Sequence, residues 1–304
     1  MTKFFSGLFG KSEKKTDIPT EPGISDIPTQ PHSSPERAVS HNNVDSAPTM
    51  YTIGIGTSVG LQRDHNEDAL FGATTTLVTE SNNYPFGLYI VADGMGGHAH
   101  GEKASAVAIR AMANHVLTEL LPPLQETPAG DVEESAQEVM NEGIRSAHNA
   151  ITEQTSGGGS TLTAVLLRGD QMEIAHIGDS RAYEILPSGE MKLLTTDHSL
   201  VKRLEDLGQI TSDEAAVHPQ RNVLYRALGQ VESIDAEVIS SPTPKSGHLV
   251  ICSDGLWGLV SDEEIADIIS STDSPQQASK HLVDAANAAG GPDNISVIVI
   301  RIPD

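Results

Sequence analysis

Residues 160–186 read STLTAVLLRGDQMEIAHIGDSRAYEIL. Three strand-like runs succeed one another here, Ser160–Arg168, Gln171–Ile177 and Ala182–Leu186, with no helical period between them. Just upstream stand two long helix-like runs, Gly101–Leu121 and Val132–Gln154, the first closed by the stop Leu121-Pro122-Pro123. Before those come three more strand-like runs, Tyr51–Ser58, Asp68–Val78 and Gly87–Ala92. Downstream, strands at His248–Ser253 and Ile295–Ile300 are interspersed with helices at Ser199–Leu207, Glu263–Ser270 and Ser274–Ala288. A doubly wound or barrel chain would alternate strand and helix singly. Strands in clusters and helices in pairs predict instead an α+β fold, a four-layer α-β-β-α sandwich of two mainly antiparallel sheets with helical pairs outside.

The chain has 304 residues, 38% of them hydrophobic, enough to bury a sizeable core. Its apolar runs are far shorter than the roughly 18 residues of a membrane span. The single cysteine excludes an intrachain disulfide and suits a reducing, cytoplasmic compartment. The net charge of −23 argues against nucleic acid as a partner. Residues 1–50, rich from 11 to 49 in Pro, Ser, Thr, Asp and Glu without an apolar period, read as a disordered tail preceding a folded domain at 51–304. The tail's charges, Lys3, Lys11, Lys14, Lys15 and Arg37 against Glu13, Asp17, Glu21, Asp26, Glu36 and Asp45, nearly cancel, so a charge of −22 belongs to residues 51–304. Residues 1–15 place Phe4, Phe5, Leu8 and Phe9 near one helical face, followed by lysines. That pattern suits docking on the inner membrane surface or on a partner, or else a frayed terminus. It is too short for a secretory signal.

Acidic residues recur where the strands should end: Asn66-Glu67-Asp68, Asp93 after GLYIVA, Asp179 after EIAHIG, Asp254 after LVICS, and Asp293 before the last strand. Singly, each reads as a turn residue or helix cap. Gathered at one sheet edge, five or six carboxylates need cations to neutralise them. Oxygen donors alone suit Mg²⁺ or Mn²⁺ rather than Zn²⁺, and no CxxC or HExxH pattern offers a softer site. In Asp93-Gly94-Met95-Gly96-Gly97-His98, Gly94 lets a carbonyl turn towards a metal while Asp93 can bridge two. Two bridged cations polarise a water and clamp a phosphoryl group, supplying the positive charge that an acidic protein lacks.

Eight motifs in order carry a family resemblance: Arg63 with Glu67-Asp68, DGMGGH (93–98), GGSTLTA (158–164), IGDSRAY (177–183), TTDHSLV (195–201), RNVLYRALG (221–229), SDGLWG (253–258) and GPDNISV (291–297). The set resembles the type 2C, metal-dependent serine/threonine protein phosphatases in their bacterial form, over about residues 51–302. The resemblance implies hydrolysis of phosphoserine and phosphothreonine by direct attack of a water activated at a dinuclear Mg/Mn centre, in opposition to a serine/threonine protein kinase. It implies that Asp93 bridges both metals, with the Gly94 carbonyl on one and Asp254 and Asp293 on the other. Glu67 and Asp68 match the family's NED element, which holds metals directly or through water. Asp179 would join Asp254 at a weaker third metal, Asn294 would support the ligands from behind, and Arg63 would grip the substrate phosphate. The segment between Asp197 and Arg226 corresponds to the flap beside the site.

Eukaryotic members carry a histidine, proposed as general acid, where this chain has Met95, and a further aspartate where it has Gly258. His65 and His100 lie outside the pattern, and His98-x-His100 offers too few ligands for zinc. Cys252 and Trp257 read as core packing, His198 as a cap or orienter of the flap, and Ser160-Thr161 as a turn into a strand. Two other functions fit the same residues less well. A pseudo-phosphatase that only binds phosphoproteins would tend to lose these aspartates, and a two-metal nuclease is disfavoured by the charge.

Overall fold

A computed structural model of the chain describes residues 50–78, 83–97, 99–126, 133–230, 234 and 236–303. The tail reading of residues 1–49, the docking reading of residues 1–15, and His98 lie outside the described residues. One sheet has the order β1 (Thr52–Ser58), β11 (Ile295–Ile302), β10 (Gly247–Cys252), β7 (Arg181–Ile185), β8 (Met191–Leu193). The other runs β2 (Asp68–Val78), β3 (Asn83–Met95), β5 (Leu162–Arg168), β6 (Gln171–Ile177), β9 (Glu237–Pro242), with the short β4 (Gly159–Ser160) on β3. The pairings described within both sheets are antiparallel.

Side-chain alternation builds the layers. Leu88 and Ile90 of β3 and Ala164 and Leu166 of β5 face the helical pair α1 (Ala99–Glu126) and α2 (Glu133–Gln154). Their neighbours Tyr89, Val91, Val165 and Leu167 face the opposite sheet, where they meet Leu249 and Ile251 of β10 and Ile298 and Ile300 of β11. On the far side, Val250, Val297 and Val299 pack beneath α5 (Asp254–Trp257), α6 (Asp262–Ser270) and α7 (Pro275–Ala288). Because β3, β5, β10 and β11 are covered on both faces, they read as continuous apolar runs. β1 alternates glycine instead because α7 lies almost on its backbone: a Cβ on Gly54 would sit 1.9 Å from the Pro275 carbonyl oxygen, and one on Gly56 2.7 Å from that of Ser279. This is the four-layer arrangement expected.

Three features differ from the sequence reading. Helix α1 continues through Pro122-Pro123 to Glu126. Proline fixes a helical φ but loses its N–H bond and crowds the carbonyl four residues back, so this last turn forms at a cost that the sequence reads as a stop. Strands β8 and β9 complete the two sheets at their edges. The segment following Ser199 carries the expected helix, α3 (Leu200–Asp206), and then a second short one, α4 (Ser212–Ala216), opened by a capping box between Thr211 and Glu214.

Candidate metal-dependent active site

The antiparallel register sets Asp68, the first residue of β2, directly opposite Asp93 near the end of β3. Two hydroxyl residues after the triple glycine hold Asp93. Its N–H donates to Thr161 Oγ1 (2.9 Å), and its carbonyl accepts from the Thr161 N–H (2.8 Å) and from Ser160 Oγ (3.0 Å). Gly94 sits where no side chain fits: a Cβ there would lie 2.1 Å from the Gly101 carbonyl oxygen at the start of α1 and 2.6 Å from that of Glu67. The Glu67 carbonyl accepts from the Gly94 N–H (3.1 Å) and from Ser105 Oγ (2.6 Å), which ties the 67–68 corner to α1.

Asp254 opens α5, and Ser253 before it donates its hydroxyl to Asp68 Oδ2 (2.9 Å) while accepting from the Ser296 N–H (3.0 Å). Asn294 fastens the 59–67 loop: its Oδ1 accepts from the Glu67 N–H (2.7 Å), and its Nδ2 donates to the carbonyls of Val59 and His65 (both 2.9 Å). Arg63, half exposed, donates from Nη2 to Asp293 Oδ2 at 2.7 Å. Asp179 is buried in the turn between β6 and β7, and its carbonyl accepts from Trp257 Nε1 (3.0 Å).

The electrostatics are those of crowded carboxylates. Burial pushes the Asp68 carboxyl up to about 7, helped by the charges of Asp254 and Asp293 and opposed by hydrogen bonds from Ser296 and Ser253. Burial and then Asp293 raise Asp254 to about 6, against Arg63, the Gly255 N–H and a hydrogen bond shared with Asp93. Asp93 is held well above the usual carboxylate range by burial, then by Asp68, Asp254 and Asp179. Asp179 is raised by burial, then by Asp254 and Asp197. Asp68 Oδ1 is buried with no hydrogen-bond partner among the described residues.

Among the described residues, no three Asp, Glu, His or Cys side chains already converge on one point as a finished metal shell. Their carboxyls are engaged with one another and with neighbours: Asp93 with Asp254, Asp68 with Ser253, and Asp293 with Arg63. A buried donor oxygen without a partner, beside two carboxyls sharing a hydrogen bond, fits a divalent cation that would take the place of those hydrogens. The structure therefore gathers Asp68, Asp93, Asp179, Asp254 and Asp293 electrostatically, with Glu67 and Gly94 linked to them through backbone. His65 Nε2 lies 3.3 Å from Glu67 Oε1. A cavity of about 470 Å³ opens over Asp179, Asp254 and Asp293, bounded by Arg221 and Asn222 after α4 and by Trp257 and Leu259.

Sequence reasoning missed several supporting residues. Ser160 and Thr161 grip Asp93 rather than merely turning into a strand, and Trp257, which packs against the core as expected, also lines the cavity. Arg181, Asp197 and Ser253 went unremarked as contacts. Cys252 is fully buried, as expected. His198 does orient the flap root: its Nδ1 accepts from the Gly178 N–H (3.1 Å), and its ring stacks on His176.

Comparison with known proteins agrees with this geometry. Residues 55–295 match the family model described as protein phosphatase 2C. A serine/threonine phosphatase stp of Listeria welshimeri is 34% identical over 245 residues, 81% of this chain and 93% of that protein. The crystal structure of the Mycobacterium tuberculosis serine/threonine phosphatase PstP/Ppp superposes with a TM-score of 0.70 at 31% identity, covering 84% of this chain and 100% of that one. The catalytic domain of PstP in complex with two manganese ions gives 0.68 at 30% identity, over 84% and 99% of the two chains. With the motifs, the layered fold and the carboxylate edge in agreement, the chain belongs to the protein phosphatase 2C family of metal-dependent serine/threonine phosphatases.

Proposed function

We propose that this chain hydrolyses phosphoserine and phosphothreonine esters of proteins by direct attack of water, at a dinuclear Mn or Mg centre, and so reverses a serine/threonine protein kinase. The observation that carries the proposal is the carboxylate edge, where the strand register sets Asp68, whose buried Oδ1 has no hydrogen-bond partner among the described residues, directly opposite Asp93. Asp93 would bridge the two ions. The Gly94 carbonyl would serve one and Asp254 with Asp293 the other, while Glu67 and Asp68 would hold them directly or through water. Asp179 with Asp254 would hold a weaker third ion. Bound there, such cations supply a more acidic water and a clamp for phosphoryl oxygens.

The chain's own groups do the rest. Asn294 holds the Glu67 loop in register. Arg63 keeps half of its side chain open to solvent, and with Asp293 given over to a cation its guanidinium would be free to take a phosphate oxygen. Cys252 is buried with its thiol pushed up to about 12 by that burial, which leaves water rather than a thiolate as the nucleophile. Met95 has no proton to give, so the leaving oxygen would take its proton from a water in the cleft or from a residue of the flap.

Residues 1–50 would form a tail and 51–304 the catalytic domain, held in the cytoplasm with residues 1–15 docking on a membrane surface or partner. Among the described residues no helix is long and apolar enough to cross a membrane. The test is phosphate release from a phosphothreonine peptide by metal-stripped protein, with and without added Mn²⁺. Turnover only with metal is expected. Tight peptide binding without turnover would favour a pseudo-phosphatase.

A further inference from the structure

Arg181 stands at a junction that the carboxylate cluster does not itself require. Its Nε and Nη2 donate to the two oxygens of Asp197 at 3.0 and 2.7 Å, and Nη1 donates to Tyr183 Oη at 3.1 Å. The guanidinium lies 3.5 Å from the centre of the Trp257 ring. Trp257 in turn donates its Nε1–H to the carbonyl of Asp179. These groups come from separate pieces of the fold: the β6–β7 turn, the start of β7, the strap entering α3, and the end of α5, whose first residue is Asp254. Arg181, Asp197 and Trp257 line the same cavity as Asp179 and Asp254, so the junction faces the site.

The geometry is restrictive. A fork on a carboxylate fixes the guanidinium plane, and the aromatic face beneath it fixes its height. The Asp197 side chain is only 7% exposed and that of Arg181 21%, so little water reaches the fork. The strap does not depend on Arg181 for its attachment. The His198 N–H donates to the Gly178 carbonyl (2.8 Å), the Leu194 N–H to that of Ala182 (2.8 Å), and the Ala182 N–H to Thr195 Oγ1 (3.2 Å). What Arg181 adds is the link through Trp257 to Asp179.

We infer that Arg181 is a positioning residue: by clamping Asp197 and stacking on Trp257, it holds the Asp179 turn against the helix that begins with Asp254, so that the two carboxylates keep the spacing of a weaker cation site. The inference rests on the reading of Asp179 and Asp254 as ligands. The experiment is an equilibrium Mn²⁺ titration of the metal-free protein, with the free ion read by electron paramagnetic resonance and melting temperature recorded alongside. The wild type should show a tight class and a weaker one. Arg181→Met should weaken the weaker class by about ten- to hundredfold and leave the tight class unchanged, the usual effect of removing a group that orients a ligand. Arg181→Lys should fall between, since a point charge cannot reproduce the fork. Trp257→Phe, which keeps the aromatic face but loses the N–H to Asp179, should shift the weaker class in the same direction, and it decides the matter should Arg181→Met not fold. Asp179→Asn separates the two readings. If it leaves the weaker class intact, or the wild type has none, the ligand assignment is wrong and the clamp falls with it. If Asp179→Asn removes that class while Trp257→Phe and the Arg181 variants that fold bind Mn²⁺ as the wild type does, the clamp is overturned and the ligand assignment stands.

Discussion

Replacing Asp254 by asparagine should stabilise the metal-free protein while abolishing its response to metal. The Asp254 carboxyl is raised from 3.8 to about 6, first by burial and then by Asp293. An unfolded chain gives up this proton near pH 4, whereas the folded chain holds it to about pH 6. Ionisation therefore costs the native state stability that grows between those values and is complete above them. At about 1.4 kcal/mol for each pH unit, the cost at pH 7.5 is about 3 kcal/mol. Asparagine has the same shape, still accepts from the Gly255 N–H, and can donate to Asp93. For a domain of this size, about 3 kcal/mol corresponds to a rise in Tm of about 6–12 °C. Mn²⁺ at about a hundred times its Kd should stabilise the wild type by about 2.7 kcal/mol and the Asp254→Asn variant hardly at all, which narrows or reverses their order. At pH 4 the two metal-free proteins should melt together. Thermal melts at pH 4 and 7.5, with EDTA and with Mn²⁺, measure all of this. An Asp254→Asn variant that melts below the wild type in EDTA at pH 7.5, or that keeps the full rise with Mn²⁺, would refute the reasoning.

Arg63→Ala should lower kcat/KM on a phosphopeptide by roughly ten- to hundredfold through the loss of a charge-assisted fork, and Arg63→Lys should recover only part of it; steady-state kinetics decide. Gly94→Ala would drive a methyl group to 2.1 Å from the Gly101 carbonyl oxygen, with backbone on both sides that cannot step aside. Urea unfolding should show a loss of about 1–3 kcal/mol or more, and an unchanged midpoint would mean that α1 can retreat from β3. Deleting residues 1–49 should leave turnover of a small aryl phosphate unchanged, because Tyr51 onward supplies its own buried contacts; a deletion that unfolds the remainder would show the boundary to be misplaced.

The layers were legible because burial on both faces writes itself locally. β2 and β6 begin and end where the apolar pattern does. β9 escaped notice because it is a partly exposed edge strand, EVISSP, with serines and a proline. α4 escaped because it buries no residue and so has no apolar period. At the site, each aspartate announced itself by its place at a strand end, and all but Asp68 also by a glycine adjacent or one residue away. Their mutual arrangement did not, since Asp68 opposite Asp93 is a matter of register, and Asp254 reaches them from another sheet. Thr161 grips a residue 68 positions away and Trp257 one 78 positions away, so neither contact leaves a local signal, and a turn or packing role was the natural reading.

The central claim is that the edge formed by Asp68, Asp93, Asp254 and Asp293 is a two-cation site. Anomalous diffraction from a crystal of the protein soaked in Mn²⁺ tests it most directly. Two peaks are expected within coordination distance of the Asp93 carboxylate, one also against the Gly94 carbonyl and the other against Asp254 and Asp293, with Arg63 released from Asp293. A map with no peak at this edge, the Asp93–Asp254 hydrogen bond and the Arg63–Asp293 contact unchanged, would contradict the account.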